Sequence, residues 1–252
     1  MAEAKQPKFP SEVVDLPSGG IIYSKDSPLS GGKIEIKYMT AKEEDILTSQ
    51  NLIKKGVVID ILLNSLILTE GVKAEDLIIG DKNAVMVAAR ILAYGPEYEV
   101  SVTNPDTTEK FKHTFNLTEC PFKELPKDVD YSQNLFEMEL PISKKKVQFK
   151  LIDGKDEKAI DMELKKTEKF GASKEITTRL RHSIVSVDEN EDQSTINMFV
   201  NNMLSRDSLA LRQYIAKIAP DIVLEQDILM EGELVTVDIP LTTEFFWPTS
   251  QT

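Results

Sequence analysis

Residues 34–47 and 147–160 of this chain run in parallel at a constant offset of 113. Ile34 matches Val147, Ile36 matches Phe149, Lys37 matches Lys150, Lys42 matches Lys155 and Glu44 matches Glu157. Each copy alternates apolar and polar residues with the period of a strand, then passes a cap-type residue, Thr40 or Asp153, into an acidic first helical turn. Thr40 with Glu43 fits a capping box, and Asp153 with Asp156 is an acidic version of it. A second matched pair lies downstream at an offset of 126: a capped helix from Asp81 to Tyr94, ended by Gly95 and Pro96, and another from Asp207 to Ala219, ended by Pro220. Leu211, Tyr214, Ile215 and Ile218 make one apolar stripe in the second, as Val85, Ala88, Ala89 and Leu92 do in the first. Strand-like alternation follows both, at 98–102 with 112–117 and at 222–224 with 233–239.

These features read as an α+β chain of two tandem similar modules, each a short strand, several helices and a β-hairpin. The boundaries expected are an extended N-terminal arm at 1–32, a first module at 33–125, a linker at 126–145, and a second module with an aromatic C-terminal tail at 146–252. The competing account is chance likeness between short strand–helix patterns. Residues 52–68 are expected to form a buried helix, with a strand at 57–61 as the alternative. In the second module Ser173 is expected to cap a helix that places Ile176, Leu180 and Ile184 on one face. Thr195–Leu204 reads as another amphipathic helix, reached through a polar link at 188–193.

Composition narrows the function classes. The 42 acidic and 30 basic side chains give a net charge of −12. That sign opposes phosphate-neutralising nucleic-acid binding and a basic membrane-surface role. The single cysteine, Cys120, excludes an intramolecular disulfide and a cysteine zinc cage, and His113 and His182 are too few for a three-histidine site. The N-terminus lacks the apolar core of a secretion signal, and the apolar run at 56–68 is too short to cross a bilayer. A reducing cytoplasm is therefore the expected place of synthesis.

No catalytic motif is present. GlyGlyLys at 31–33 lacks the spacing of a phosphate loop, and the acidic run at 188–193 lacks the glycine of a calcium loop. His182 and Ser183 are adjacent on a helix and point apart. No catalytic residue, metal ligand or cofactor is assigned. The candidate contacts are instead Tyr23 in the arm and Phe245, Phe246 and Trp247 at the C-terminus. The three aromatics either close the second module's core or dock on a neighbour. The helix caps expected are Thr40, Asp153, Ser173 and Asp207.

Several stretches taken together resemble a known family. They are LeuProSerGlyGlyIleIleTyr at 16–23, the run from Ser27 to Leu47, AspGlyLysAspGluLysAlaIleAsp at 153–161, ThrThrArgLeuArgHisSerIle at 177–184, ArgAspSerLeuAlaLeuArgGlnTyrIle at 206–215 and GluPhePheTrpPro at 244–248. The chain resembles the baseplate hub subunits and hub assembly factors of T-even-like contractile-tailed bacteriophages. The resemblance implies a structural or assembly protein that works by protein–protein association with other baseplate hub proteins, homo-oligomerisation included. Its location would be the host cytoplasm during assembly, and then the baseplate of the virion tail. A non-virion hub assembly chaperone or catalyst is the alternative within that group, and a metal-dependent hydrolase is the more distant one. Related proteins carry cysteine pairs at their hairpin tips. This chain has none at 103–108 or 225–232, and that departure puts a zinc role in doubt. Cys120 then reads as a small apolar filler.

Overall fold

The computed structural model describes residues 9–103, 110–168, 174–230, 233–241 and 243–246. Strand β1 (Ser11–Asp15) pairs antiparallel with β2 (Lys33–Lys37), Val13 opposite Glu35. The connection between them, residues 16–32, folds back on itself and buries Leu16, Ile22 and Leu29. Gly20 and Gly32 make that fold-back possible. Both have positive φ, and a Cβ on Gly20 would lie 2.5 Å from the Gly32 nitrogen. From β2 the chain enters α1 (Ala41–Thr48), α2 (Gln50–Lys55) and α3 (Val58–Leu66). Residues 67 and 68 then return along β2, the Leu68 N–H donating to the Glu35 carbonyl at 2.8 Å. Helix α4 (Ile79–Tyr94) leads into the antiparallel hairpin of β3 (Glu97–Thr103) and β4 (Lys110–Asn116).

The second half follows a similar order. Strand β5 (Phe136–Glu139) pairs antiparallel with β6 (Lys146–Phe149), and β6 leads into α5 (Gly154–Glu168) and α6 (Glu175–Ser183). Strand β7 (Ile184–Val187) then returns to pair antiparallel with β6, giving the sheet order β5-β6-β7. Helices α7 (Gln193–Asn201) and α8 (Ser205–Ile218) follow, then the hairpin of β8 (Glu225–Met230) and β9 (Glu233–Asp238).

Several expectations need correction. The N-terminal arm is integral to the fold over its described part, because β1 completes a sheet with β2 and the 16–32 connection is partly core. The expected linker at 126–145 contains β5 and buries Tyr131, Phe136 and Leu140. Residues 52–68 form two helices, not one: Gly56 takes the left-handed conformation that ends α2, and the strand alternative at 57–61 is replaced by α3. Ile184 opens β7 instead of extending the helical face of Ile176 and Leu180. Residues 225–230, expected in a turn, form β8.

Among the described residues the core has two clusters, and neither stays within one half of the sequence. The first gathers Ile34, Leu62, Leu66, Val85 and Phe115 with Ile228, Val237, Ile239, Phe245 and Phe246 from the C-terminal end. The second gathers Phe149, Leu180, Leu211 and Ile218 with Ile22 and Ile78 from the N-terminal half. Where the halves meet, backbones touch. A Cβ on Gly80 would fall 1.9 Å from the Pro220 carbonyl oxygen, and one on Gly154 would fall 2.7 Å from the Glu75 Cα. Residues 121–123 run beside 221–223, the Lys123 N–H donating to the Asp221 carbonyl at 2.9 Å and the Val223 N–H to the Pro121 carbonyl at 2.8 Å. Lys155 pairs with Asp76 at 2.7 Å, and Lys158 pairs with both Glu75 and Asp60.

Candidate interaction site

The strand-to-helix turns place the same groups together twice. In the first, the Glu43 carboxylate accepts from the Thr40 N–H at 2.9 Å and the Thr40 hydroxyl at 2.6 Å, while Lys37 Nζ lies 2.7 Å away. Glu43 is fully buried. Burial alone would raise its pKa, but the hydrogen bonds from Lys37 and Thr40 outweigh that and lower it to about 2. In the second, Asp153 accepts from the N–H groups of Lys155 and Asp156, both at 2.9 Å, and Lys150 Nζ lies 2.7 Å from Asp156. Each lysine precedes its carboxylate by the same spacing, because an outgoing strand residue and the third helical residue face one another across the turn.

The two long helices that precede the hairpins carry a second matched arrangement. Asp207 was expected to cap its helix from the N-cap position. The helix instead begins at Ser205 after Leu204, which puts Asp207 third in the first turn, as Asp81 is third in α4. Both carboxylates are buried and reach outward to a strand connection. Asp81 accepts from the Ser18 N–H at 2.9 Å, the Ser18 hydroxyl at 2.7 Å and the Tyr23 hydroxyl at 2.6 Å. Asp207 accepts from the N–H groups of Ile142 at 2.8 Å and Ser143 at 3.0 Å. Ser18 lies between β1 and β2, and Ile142 and Ser143 lie between β5 and β6. The carboxyls differ in their balance. Burial holds Asp81 above the ordinary carboxylate range despite its hydrogen bonds, whereas at Asp207 burial is outweighed by the Ile142 N–H, the Ser143 hydroxyl and the Ser143 N–H together, and the pKa falls.

Tyr23 is therefore an internal strut. Its hydroxyl donates to Asp81 and accepts from the Ile78 N–H at 3.1 Å, and burial pushes its pKa up. Phe245 and Phe246 are both 0% exposed and lie in the first core cluster, not the second module's core. Phe245 meets Tyr98 edge-on at 5.0 Å, and the Phe245 carbonyl accepts from Arg90 Nε at 2.9 Å. Their burial removes them as contact surfaces. Trp247 and Ser173 lie outside the described residues. Cys120 is buried, with Gln226 Nε2 3.8 Å from its sulfur, and His113 stacks edge-on against Phe115 at 4.7 Å. Among the described residues no group of three or more His, Cys, Asp and Glu is gathered so as to hold a metal ion.

The bare apolar surface lies elsewhere, at positions that the sequence reading did not name as contacts. Leu229 and Leu234 are exposed cross-strand partners on the β8–β9 hairpin. A groove of about 440 Å³ between the halves is walled by Ile78, Leu151, Ile176 and Ile215. A second of about 570 Å³ lies over the start of α8, walled by Met198, Phe199, Met203 and Leu204 with Asp207 on its floor. Met198 is 62% exposed and Leu204 50%. The offset of 126 that pairs Asp81 with Asp207 was the available signal for this last site.

No helix among the described residues is long and apolar enough to cross a membrane. A sequence model of the T4 bacteriophage base plate protein family matches residues 14–231, the greater part of the chain. No curated protein and no solved structure gives a match.

Proposed function

The chain belongs to the T4 bacteriophage base plate protein family, and from that premise we propose that it serves the baseplate hub, by association with other hub proteins and not by catalysing a reaction. The observation that carries the reading is the family match over nearly the whole fold, from β1 to the second hairpin. Mass spectrometry of purified virions with a pull-down from infected cells tests it. Recovery with other hub proteins is the expected result. Recovery with hub precursors and absence from finished virions would identify an assembly factor that leaves. Recovery with no baseplate protein would overturn the reading.

The same proposal includes descent of the two halves from one duplicated module. It is supported by the paired lysine–carboxylate contacts at Lys37–Glu43 and Lys150–Asp156, by the third-position aspartates Asp81 and Asp207, and by the shared order of strand, helices, long helix and hairpin. A duplicated unit offers two similar but separately modified faces, which suits bridging between unlike neighbours in a symmetric assembly.

A further inference from the structure

We propose that α5 is an electrostatic clasp across the seam between the halves: ion pairs hold it in place of core packing, and it swings off as a unit while both cores stay folded. Every other described α-helix supplies a hydrophobic side chain to one of the two core clusters or packs one against it. Helix α5, 15 residues long, does neither. Ile160 is buried but joins neither cluster, and Met162 is exposed. A helix this polar is stable where it bridges other elements, not where it fills a core.

The bridging contacts lie on both flanks. Toward the first half, Lys155 pairs with Asp76 at 2.7 Å, Lys158 pairs with Glu75 and, at 3.5 Å, with Asp60, and Lys165 Nζ donates to the Lys55 carbonyl at 3.3 Å. Toward α6, Glu157 pairs with Arg179 at 2.6 Å and Glu163 pairs with Arg181. These side chains are partly solvated, so dissolved salt screens their attraction while leaving apolar burial in place. The start of α5 is tied by backbone as well: the Gly154 N–H donates to the Leu77 carbonyl at 3.0 Å, and Asp153 forms a β-bridge with Ile78. That end is the hinge. Glu157 and Arg179 both line the groove of about 440 Å³ between the halves, so the same swing opens the groove along one side.

Amide hydrogen exchange on the full-length protein tests the clasp, with sodium chloride raised from about 0.01 M to about 1 M, where the screening length falls from about 30 Å to about 3 Å. Residues 158–166 should exchange at least about tenfold faster at high salt, while α4 and α8 keep their protection. A Lys158→Met and Glu163→Gln double variant removes one ion-pairing group from each flank. It should show the fast exchange already at low salt, lose most of the salt dependence, and leave the thermal melt at Tyr98 and Tyr131 unchanged. Protection of α5 equal to that of α8 at both salt concentrations would overturn the proposal, as would fast exchange indifferent to salt. A double variant that fails to fold, or whose cores melt earlier, would also overturn it, by showing that α5 belongs to the same cooperative unit as the cores.

Discussion

Lys37 and Lys150 make the same contact at different depths, and depth decides what each is worth. The Lys37 side chain is 10% exposed over a fully buried Glu43, whereas that of Lys150 is 35% exposed over a partly buried Asp156. Removing one member of a buried pair leaves an uncompensated charge, at a cost of about 3–5 kcal/mol, while a partly solvated pair is worth about 1 kcal/mol or less. Lys37→Ala should therefore destabilise the protein several times more than Lys150→Ala in parallel urea titrations. The pH dependence has a defined sign. Glu43 falls from 4.5 when unfolded to about 2 when folded, so its contribution is complete above about 4.5 and is lost as the pH drops toward about 2. In Lys37→Ala the acid limb of the stability profile should move to higher pH. An unchanged acid limb would remove Glu43 from the account. At this scale the sequence was legible where local chemistry decides. Thr40 with Glu43 and Asp153 with Asp156 sit at turns that short-range patterning describes. Asp207 was misread because an acidic residue at the third helical position and one at the cap look alike in sequence. Only the approach of Ile142 and Ser143 tells them apart.

Among elements, long α4 and α8 and both hairpins were visible in their periodicity, and the misread elements are those whose identity depends on distant partners. Ile184 continues an apolar helical stripe in sequence, yet the open edge of β6 captures it as a strand. Gly56 divides the 52–68 run because a left-handed glycine ends a helix, a stop signal easily lost inside an apolar stretch. The packing of α4 against the chain at 220–221 had no sequence signal, since a glycine within a helix reads first as a weak position. Gly80 is required there by contact: a methyl group would overlap the Pro220 carbonyl, an immovable backbone atom. Gly80→Ala improves helix propensity in isolation by about 1 kcal/mol and should nonetheless destabilise the protein by about 1–3 kcal/mol or more, because overpacking outweighs propensity. A melting temperature equal to or above that of the parent would show that the two halves have room to separate at this point. Asp207→Asn should cost about 1–3 kcal/mol, since an amide group can accept only one of the two N–H groups that the carboxylate holds. Amide exchange at Ile142 and Ser143 should accelerate in the same variant.

For the whole molecule, the sequence suggested two modules in tandem and left open whether they pack together, and the cores argue for one body. Apolar periodicity reports which face of an element is buried, not which partner buries it, so the exchange between halves was invisible. The C-terminal hairpin and Phe245 with Phe246 fill the first cluster, while Ile22 and Ile78 fill the second. Each half thus lacks part of its own core, and cutting the chain between them exposes both. Fragments 1–125 and 126–252 should be largely unfolded when expressed separately. Mixing them should restore structure in proportion to concentration, since association would then supply the missing core. In the intact chain, Phe245→Ala should cost about 3–5 kcal/mol through the cavity it leaves beside Tyr98. Because each cluster takes residues from both halves of the chain, that loss should lower the melting of residues in the second cluster as well as the first, read at Tyr131 and Tyr98 respectively by site-resolved NMR. A protein of this length would ordinarily be expected to unfold in stages if its modules were separable. A single calorimetric transition that shifts as a unit is the outcome interlocked cores require. Two transitions, with only the first moved by Phe245→Ala, would mean that the halves carry their stability independently.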